Sequence, residues 1–170
     1  LKTSKDEMIK AIDKTLFAVS NDDLRPAMMG VYFDIGPEES KFVATDGHRL
    51  VKYIKEDLTS DEEVDFIVPE KALNLVQKAL HDEECDLTIT EDHARFKSGN
   101  TIVITRLINE QYPNYESVIP KDNEKTLVIN KEQMLATVKR VAIFSSSTTR
   151  QIRLQLNPDK LTIRAEDIDM

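Results

Sequence analysis

"LKTSKDEMIKAIDKTLFAVS", residues 1–20, and "LVINKEQMLATVKRVAIFSS", residues 127–146, decide the fold, because they are two copies of one pattern. Lys5 matches Lys131, Met8 matches Met134, Ile9 matches Leu135, Ile12 matches Val138 and Lys14 matches Arg140. Each copy reads as a short strand, a Lys, then an amphipathic helix. A weaker copy, "VDFIVPEKALNLVQKAL", begins at Val64, so the starts lie about 63 residues apart.

Working outward, apolar spacing predicts the elements. Met8, Ile9, Ile12, Leu16 and Val19 fall on one helical face, as do Met134, Leu135, Val138, Val141 and Ala142. Ala72, Leu73, Val76 and Leu80 make the middle stripe, with Pro69 suited to that helix's start. Strand-like runs follow each helix: Val31–Ile35, Lys41–Ala44 and His48–Ile54; then Asp86–Thr90, His93–Lys97 and Thr101–Leu107; then Ile152–Leu156 and Lys160–Ala165. Gly36-Pro37, Gly47, Ser98-Gly99-Asn100 and Asn157-Pro158 separate them as turns. The unit is β-α-β-β-β, and two units would pack their helices on one side of a shared sheet, an α+β architecture. The third copy stops at Met170, about 20 residues short of the others' length, and the chain starts at Leu1. Both ends read as those of a piece of a longer repeat protein.

Composition narrows the class. Forty per cent apolar and 32% charged residues predict a folded core rather than disorder. No apolar run reaches the roughly 18 residues that span a bilayer, so no membrane role is expected. A lone cysteine, Cys85, fits a cytoplasmic setting. The net charge of −8 speaks against a simple basic nucleic-acid binder, but it is uneven: residues 1–125 carry −10 and residues 126–170 carry +2. Phosphate contact remains open if basic side chains gather on one surface.

Three stretches could carry chemistry. "FVATDGHRLVKY", residues 42–53, packs Thr45, Asp46, Gly47, His48 and Arg49 into one turn. Asp46 and His48 could ligate a metal or serve a small hydrolase. In a strand, residues two apart share a face, so a plain Asp–His contact needs neither. A turn with Gly at positive φ is the bland alternative. No His-x-x-x-His, Cys-x-x-Cys or glycine-rich phosphate loop occurs, so no catalytic residue, metal or cofactor is expected. "EQYPNYESVIP", residues 110–120, reads as a connector with aromatic packing, or as a groove wall. "SSSTTR", residues 145–150, aligns with "SNDDLR", residues 20–25, as a helix-to-strand connection.

Together these residues resemble the bacterial DNA polymerase III β subunit family, the sliding clamps. The strongest motif is "ATDGHRL", residues 44–50. "LRPAMMGVYFD" (24–34), "YPNYESVIP" (112–120), "RVAIFSS" (140–146) and "IRLQLNPDKLTIRA" (152–165) support it. The resemblance implies the DNA clamp fold: a ring of two head-to-tail subunits, each with three domains of two repeat units. It assigns residues 1–124 to the middle domain and 125–170 to the first part of the C-terminal domain. It implies a non-enzymatic processivity factor that encircles double-stranded DNA without reading sequence. Lys10, Lys14, Lys139 and Arg140 would face phosphates.

Short peptide tails of the replicative polymerase, the clamp loader and repair proteins would bind a pocket of Arg25, Met28, Thr45, Gly47, His48, Arg49, Leu50, Pro113 and Val118. Met28, Leu50, Pro113, Val118 and the Thr45 methyl would cup a partner Leu or Phe, with Arg25 and His48 as a polar rim. Two departures stand out: Ser117 where many members carry a basic residue, and Pro26 and Ala27 where many carry aromatics. The rival from another class is the Asp46–His48 hydrolase; a generic interaction domain without a DNA role is the third reading.

Overall fold

The computed structural model of the chain describes residues 1–166. The chain divides into two compact units, residues 1–119 and 120–170.

In the first unit the order is β1 (Lys2–Ser4), α1 (Lys5–Thr15), β2 (Gly30–Ile35), β3 (Ser40–Thr45), β4 (Leu50–Lys55), β5 (Val64–Pro69), α2 (Glu70–Ala79), β6 (Glu84–Ile89), β7 (His93–Ser98) and β8 (Thr101–Arg106). Ser4 starts α1 as its N-cap, its hydroxyl accepting from the Glu7 amide at 3.2 Å. Asp6 and Glu7 in the first turn and Lys14 in the last complement the helix dipole. Met8, Ala11 and Ile12 bury one face of α1, while Lys10, Asp13 and Lys14 stay exposed.

The strands form two four-stranded antiparallel sheets, ordered β4-β3-β2-β5 and β1-β6-β7-β8. The repeat pattern predicts one shared sheet; the structure instead exchanges the leading strands. β1, which opens the first repeat, pairs with β6 of the second, Thr3 opposite Cys85. β5, which opens the second repeat, pairs with β2 of the first, Tyr32 opposite Ile67. The exchange makes the repeats one cooperative body, since removing either leading strand uncovers an edge of the other's sheet. A 3.0 Å bond from the Ile108 amide to the Ile67 carbonyl ties the β8 end to β5.

Alternation places the core. On β2, Val31, Phe33 and Ile35 are buried while Tyr32 and Asp34 face outward. The Phe33 ring lies 4.8 Å from Phe42 and 5.1 Å from Phe66. Leu73 and Val76 of α2 join the same buried cluster, with Leu87, Phe96 and Val103. Each such side chain contributes about 1.5–3 kcal/mol by leaving water.

The second unit holds α3 (Lys131–Ala142) and the hairpin β9 (Arg153–Asn157) and β10 (Lys160–Arg164). Asn130 repeats the role of Ser4: its side chain caps α3 by accepting from the Gln133 amide at 3.0 Å. The expected strand at Leu127–Ile129 is not formed. In the first two copies the leading strand pairs with the other copy's sheet, and these 170 residues hold no further copy for it to join.

No helix among the described residues is long and apolar enough to cross a membrane.

Candidate functional site

The turn between β3 and β4 is built by its own polar side chains. Asp46 Oδ1 accepts hydrogen bonds from the amides of His48 (2.9 Å) and Arg49 (3.0 Å), and Oδ2 takes the Arg49 Nε at 3.0 Å. Thr45 Oγ1 donates to the Arg49 carbonyl at 2.8 Å and accepts from the Gly47 amide at 3.1 Å. These bonds need a left-handed residue at the apex, and Gly47 has φ +88°. The amides of Arg49 and His48, and then the Arg49 charge, hold the Asp46 carboxyl below its usual range.

This geometry corrects two expectations. Strand β4 starts at Leu50, so His48 and Arg49 belong to the turn and not to a strand beginning at His48. Asp46 bonds the backbone amide of His48 instead of sharing a strand face with it. The carboxylate that a hydrolase would need beside an imidazole is committed to the turn. Cys85, the one thiol, is buried, and burial followed by the Asp86 charge pushes it up to about 11. Among the described residues, no group of three or more His, Cys, Asp or Glu side chains is gathered as a metal site.

Above the turn lies a pocket of about 310 Å³ lined by Met28, Thr45, Gly47, His48, Arg49, Leu50, Pro113, Asn114, Tyr115 and Val118. Eight of the nine residues expected to meet a peptide thus come together from three separated segments. Met28 arrives on a single 3-10 turn, Pro26–Met29, whose Pro26 presets the first position. The Met28 carbonyl accepts from the Ser20 amide at 2.8 Å, which fixes that turn against the α1 exit. Pro113 and Val118 come from the connector after β8, whose last turn is a 3-10 helix, Tyr115–Val118.

Arg25, the ninth, does not line the cavity. Its guanidinium packs over Gly47, 2.7 Å from where a Cβ there would stand, and its Nε lies 3.4 Å from Asp22 Oδ2. Arg49, which lines the pocket, also carries its guanidinium carbon 5.7 Å over the exposed Phe17 ring.

Sequence reasoning missed Asn114 and Tyr115 as lining residues, although the paired tyrosines around Pro113-Asn114 were the available signal. Tyr115 carries the Lys52 ammonium 5.8 Å from its ring centre, and Lys52 also pairs with Glu116. The Tyr112 hydroxyl reaches the Val43 carbonyl at 3.4 Å, and burial pushes its phenol up to about 12.

The expected phosphate-facing residues fall on exposed helix faces within each unit. Lys10 and Lys14 are exposed on α1, and Lys139 and Arg140 are exposed in the last turn of α3. Helix α2 adds exposed Lys71 and Lys78, which the repeat pattern does not single out. Asp13, between Lys10 and Lys14 on α1, is engaged by Gln77 Nε2 of α2, and Asp6, one turn before Lys10, lies 3.8 Å from the Lys5 ammonium.

Repeated β-α-β-β-β units with exchanged leading strands define an α+β fold of the clamp type. The sequence profile of the DNA polymerase III beta subunit central domain matches residues 2–114, and that of its C-terminal domain matches residues 116–170. The chain belongs to the DNA polymerase III beta subunit family. It is 29% identical to the beta sliding clamp of Synechococcus elongatus over 178 aligned positions, 99% of this chain and 48% of that protein. The crystal structure of the DNA polymerase III subunit beta from Pseudomonas aeruginosa is similar at a TM-score of 0.93 and 28% identity, covering 99% of this chain and 47% of that one. A sliding clamp from the same organism, solved bound to griselimycin, is similar at a TM-score of 0.89 and 29% identity, with 99% and 47% covered. The chain spans about half the length of the relatives it matches.

Proposed function

We propose that this chain is part of a DNA sliding clamp: a non-catalytic processivity factor that tethers a replicative polymerase to duplex DNA. Residues 1–124 are assigned to its middle domain and 125–170 to the first part of its C-terminal domain. The whole protein would close as a head-to-tail homodimer around DNA in the cytoplasm, without a cofactor. The observation that carries the reading is the convergence of Met28, Thr45–Leu50 and Pro113–Val118 on one pocket in a chain of this family.

Chemically the pocket suits a short peptide with a Leu or Phe anchor. Met28, Leu50, Pro113 and Val118 supply apolar walls, and the Met28 thioether can repack around different side chains. Burying one partner Leu or Phe contributes about 1.5–3 kcal/mol, which matches weak, exchangeable tethering of several partners: polymerase, clamp loader and repair proteins. Lys10, Lys14, Lys139 and Arg140 give sequence-independent, salt-dependent attraction to phosphates.

Calorimetric titration of griselimycin, and of a hexapeptide ending in Leu-Phe, tests the pocket. The expected result is saturable binding of both by the wild-type chain and competition between them. Binding of both that is indifferent to Val118→Asp would place the ligands elsewhere and overturn the reading.

A further inference from the structure

Residues 107–114 form no strand, yet Pro113, Asn114, Tyr115 and Val118 make one wall of the pocket. Something other than a ladder must fix that wall. Tyr32 projects from the outer face of β2, between Val31 and Phe33, which are both buried. Its ring stacks on Tyr112, centroids 4.7 Å apart and planes 14° from parallel. It also meets Tyr115 at 6.2 Å and 59°, and Tyr112 and Tyr115 meet each other edge-on at 6.4 Å. The three rings therefore close a cluster over the middle of the β4-β3-β2-β5 sheet, flanking Pro113 and Asn114 on both sides. Tyr32 is the only one of the three that belongs to the sheet, and it does not line the pocket.

We propose that Tyr32 is a positioning residue for partner binding: its ring is the platform that holds the Pro113–Val118 wall in binding geometry. The inference rests on the pocket being the partner site. The physical reason is preorganisation. Stacked aromatic pairs are worth about 0.5–1.5 kcal/mol beyond their area. Without the ring, the connector samples other positions, and a ligand must order it on binding. Lys52, reaching Tyr115 and Glu116 from β4, holds the connector's far end but leaves Tyr112 without its stacking partner. Leu50 and the Thr45–Arg49 turn, set by their own bonds, stay as they are.

The test compares Tyr32→Ala, Tyr32→Phe and Tyr32→Leu in the full chain. Two readouts are taken: affinity for griselimycin and amide hydrogen exchange over residues 112–118. Tyr32→Ala is expected to weaken binding about five- to tenfold, corresponding to about 1–1.4 kcal/mol. It should also speed exchange at 114–118 while the amides of β3 and β7 stay protected. Tyr32→Phe should retain wild-type values in both. If Tyr32→Ala unfolds the unit, Tyr32→Leu, which keeps apolar volume but no ring, takes its place with the same expectations. Unchanged exchange at 114–118 in the ring-less variant overturns the proposal, and so does an equal loss in Tyr32→Phe. Exchange is measured without ligand, so a wild-type chain that binds no griselimycin sinks the pocket reading separately from the positioning of the wall.

Discussion

The Arg25 guanidinium occupies the space that a side chain on Gly47 would need: a Cβ there would stand 2.7 Å from Arg25 Nη1. Gly47 also sits at φ +88°. Gly47→Ala therefore carries two costs, about 1–2 kcal/mol of left-handed strain and a displaced arginine. Thermal unfolding should show the strain as a lower Tm. Adding Arg25→Ala should relieve the displacement only, so the double variant stays less stable than Arg25→Ala alone. A double variant as stable as Arg25→Ala would mean that the turn does not require positive φ.

Asp46 is predicted to matter as an acceptor and not as a base. Asp46→Ala leaves two amides without their partner and should cost about 1–2 kcal/mol. Asp46→Asn keeps an oxygen and should cost less than half of that by chemical denaturation. Equal losses would mean that the charge pairing with Arg49 outweighs the two amide hydrogen bonds.

The same carboxylate sets a pH dependence. Its pKa in the folded chain lies below its unfolded value of about 3.9, so its contribution is fully present above that value. It is lost as pH falls through the depressed folded-state value. Stability measured from pH 6 down to pH 2 should fall more steeply for wild type than for Asp46→Asn, with the gap between the two curves closing only below about pH 4. A gap that already closes near neutrality would contradict this assignment.

Most of this fold was legible because its signals are local. Gly47 and the Ser98–Asn100 and Asn157-Pro158 turns mark where strands stop, and the apolar stripes through Met8 and Met134 mark the helices. The exchange of β1 and β5 was not legible, because the pairing of Thr3 with Cys85 joins the start of one repeat to the middle of the other and leaves no trace in periodicity. The site split the same way. "ATDGHRL" announces its turn by composition, whereas Tyr115 becomes a wall only through Tyr32 and Lys52, residues far away in sequence. Arg25 enters the expected site through the resemblance alone, and its packing over Gly47 is a contact that no periodicity announces.

Phosphate contact by α1 is predicted to appear in a salt titration. Each phosphate neutralised adds about 0.9 to the slope of log affinity against log salt for duplex DNA. Lys10 and Lys14 are both exposed, so Lys10→Glu with Lys14→Glu should flatten that slope by about 2 in fluorescence anisotropy with a labelled duplex. The change should be the same for unrelated duplex sequences. An unaltered slope would remove α1 from the DNA-facing surface.

Val118 separates binding from stability. It is 67% exposed yet lines the pocket. Val118→Asp should leave Tm nearly unchanged, since exposed substitutions usually fall within about 0.5 kcal/mol. The same change should weaken a Leu-Phe peptide by more than about tenfold, by placing a charge against its apolar anchor.

The most direct measurement of the central claim is amide hydrogen exchange of the chain with and without a saturating hexapeptide ending in Leu-Phe. Protection confined to the 25–29 turn, residues 45–50 and residues 114–118 is the predicted result. Protection on other segments, with those three unchanged, would contradict the assignment of this pocket to partner peptides.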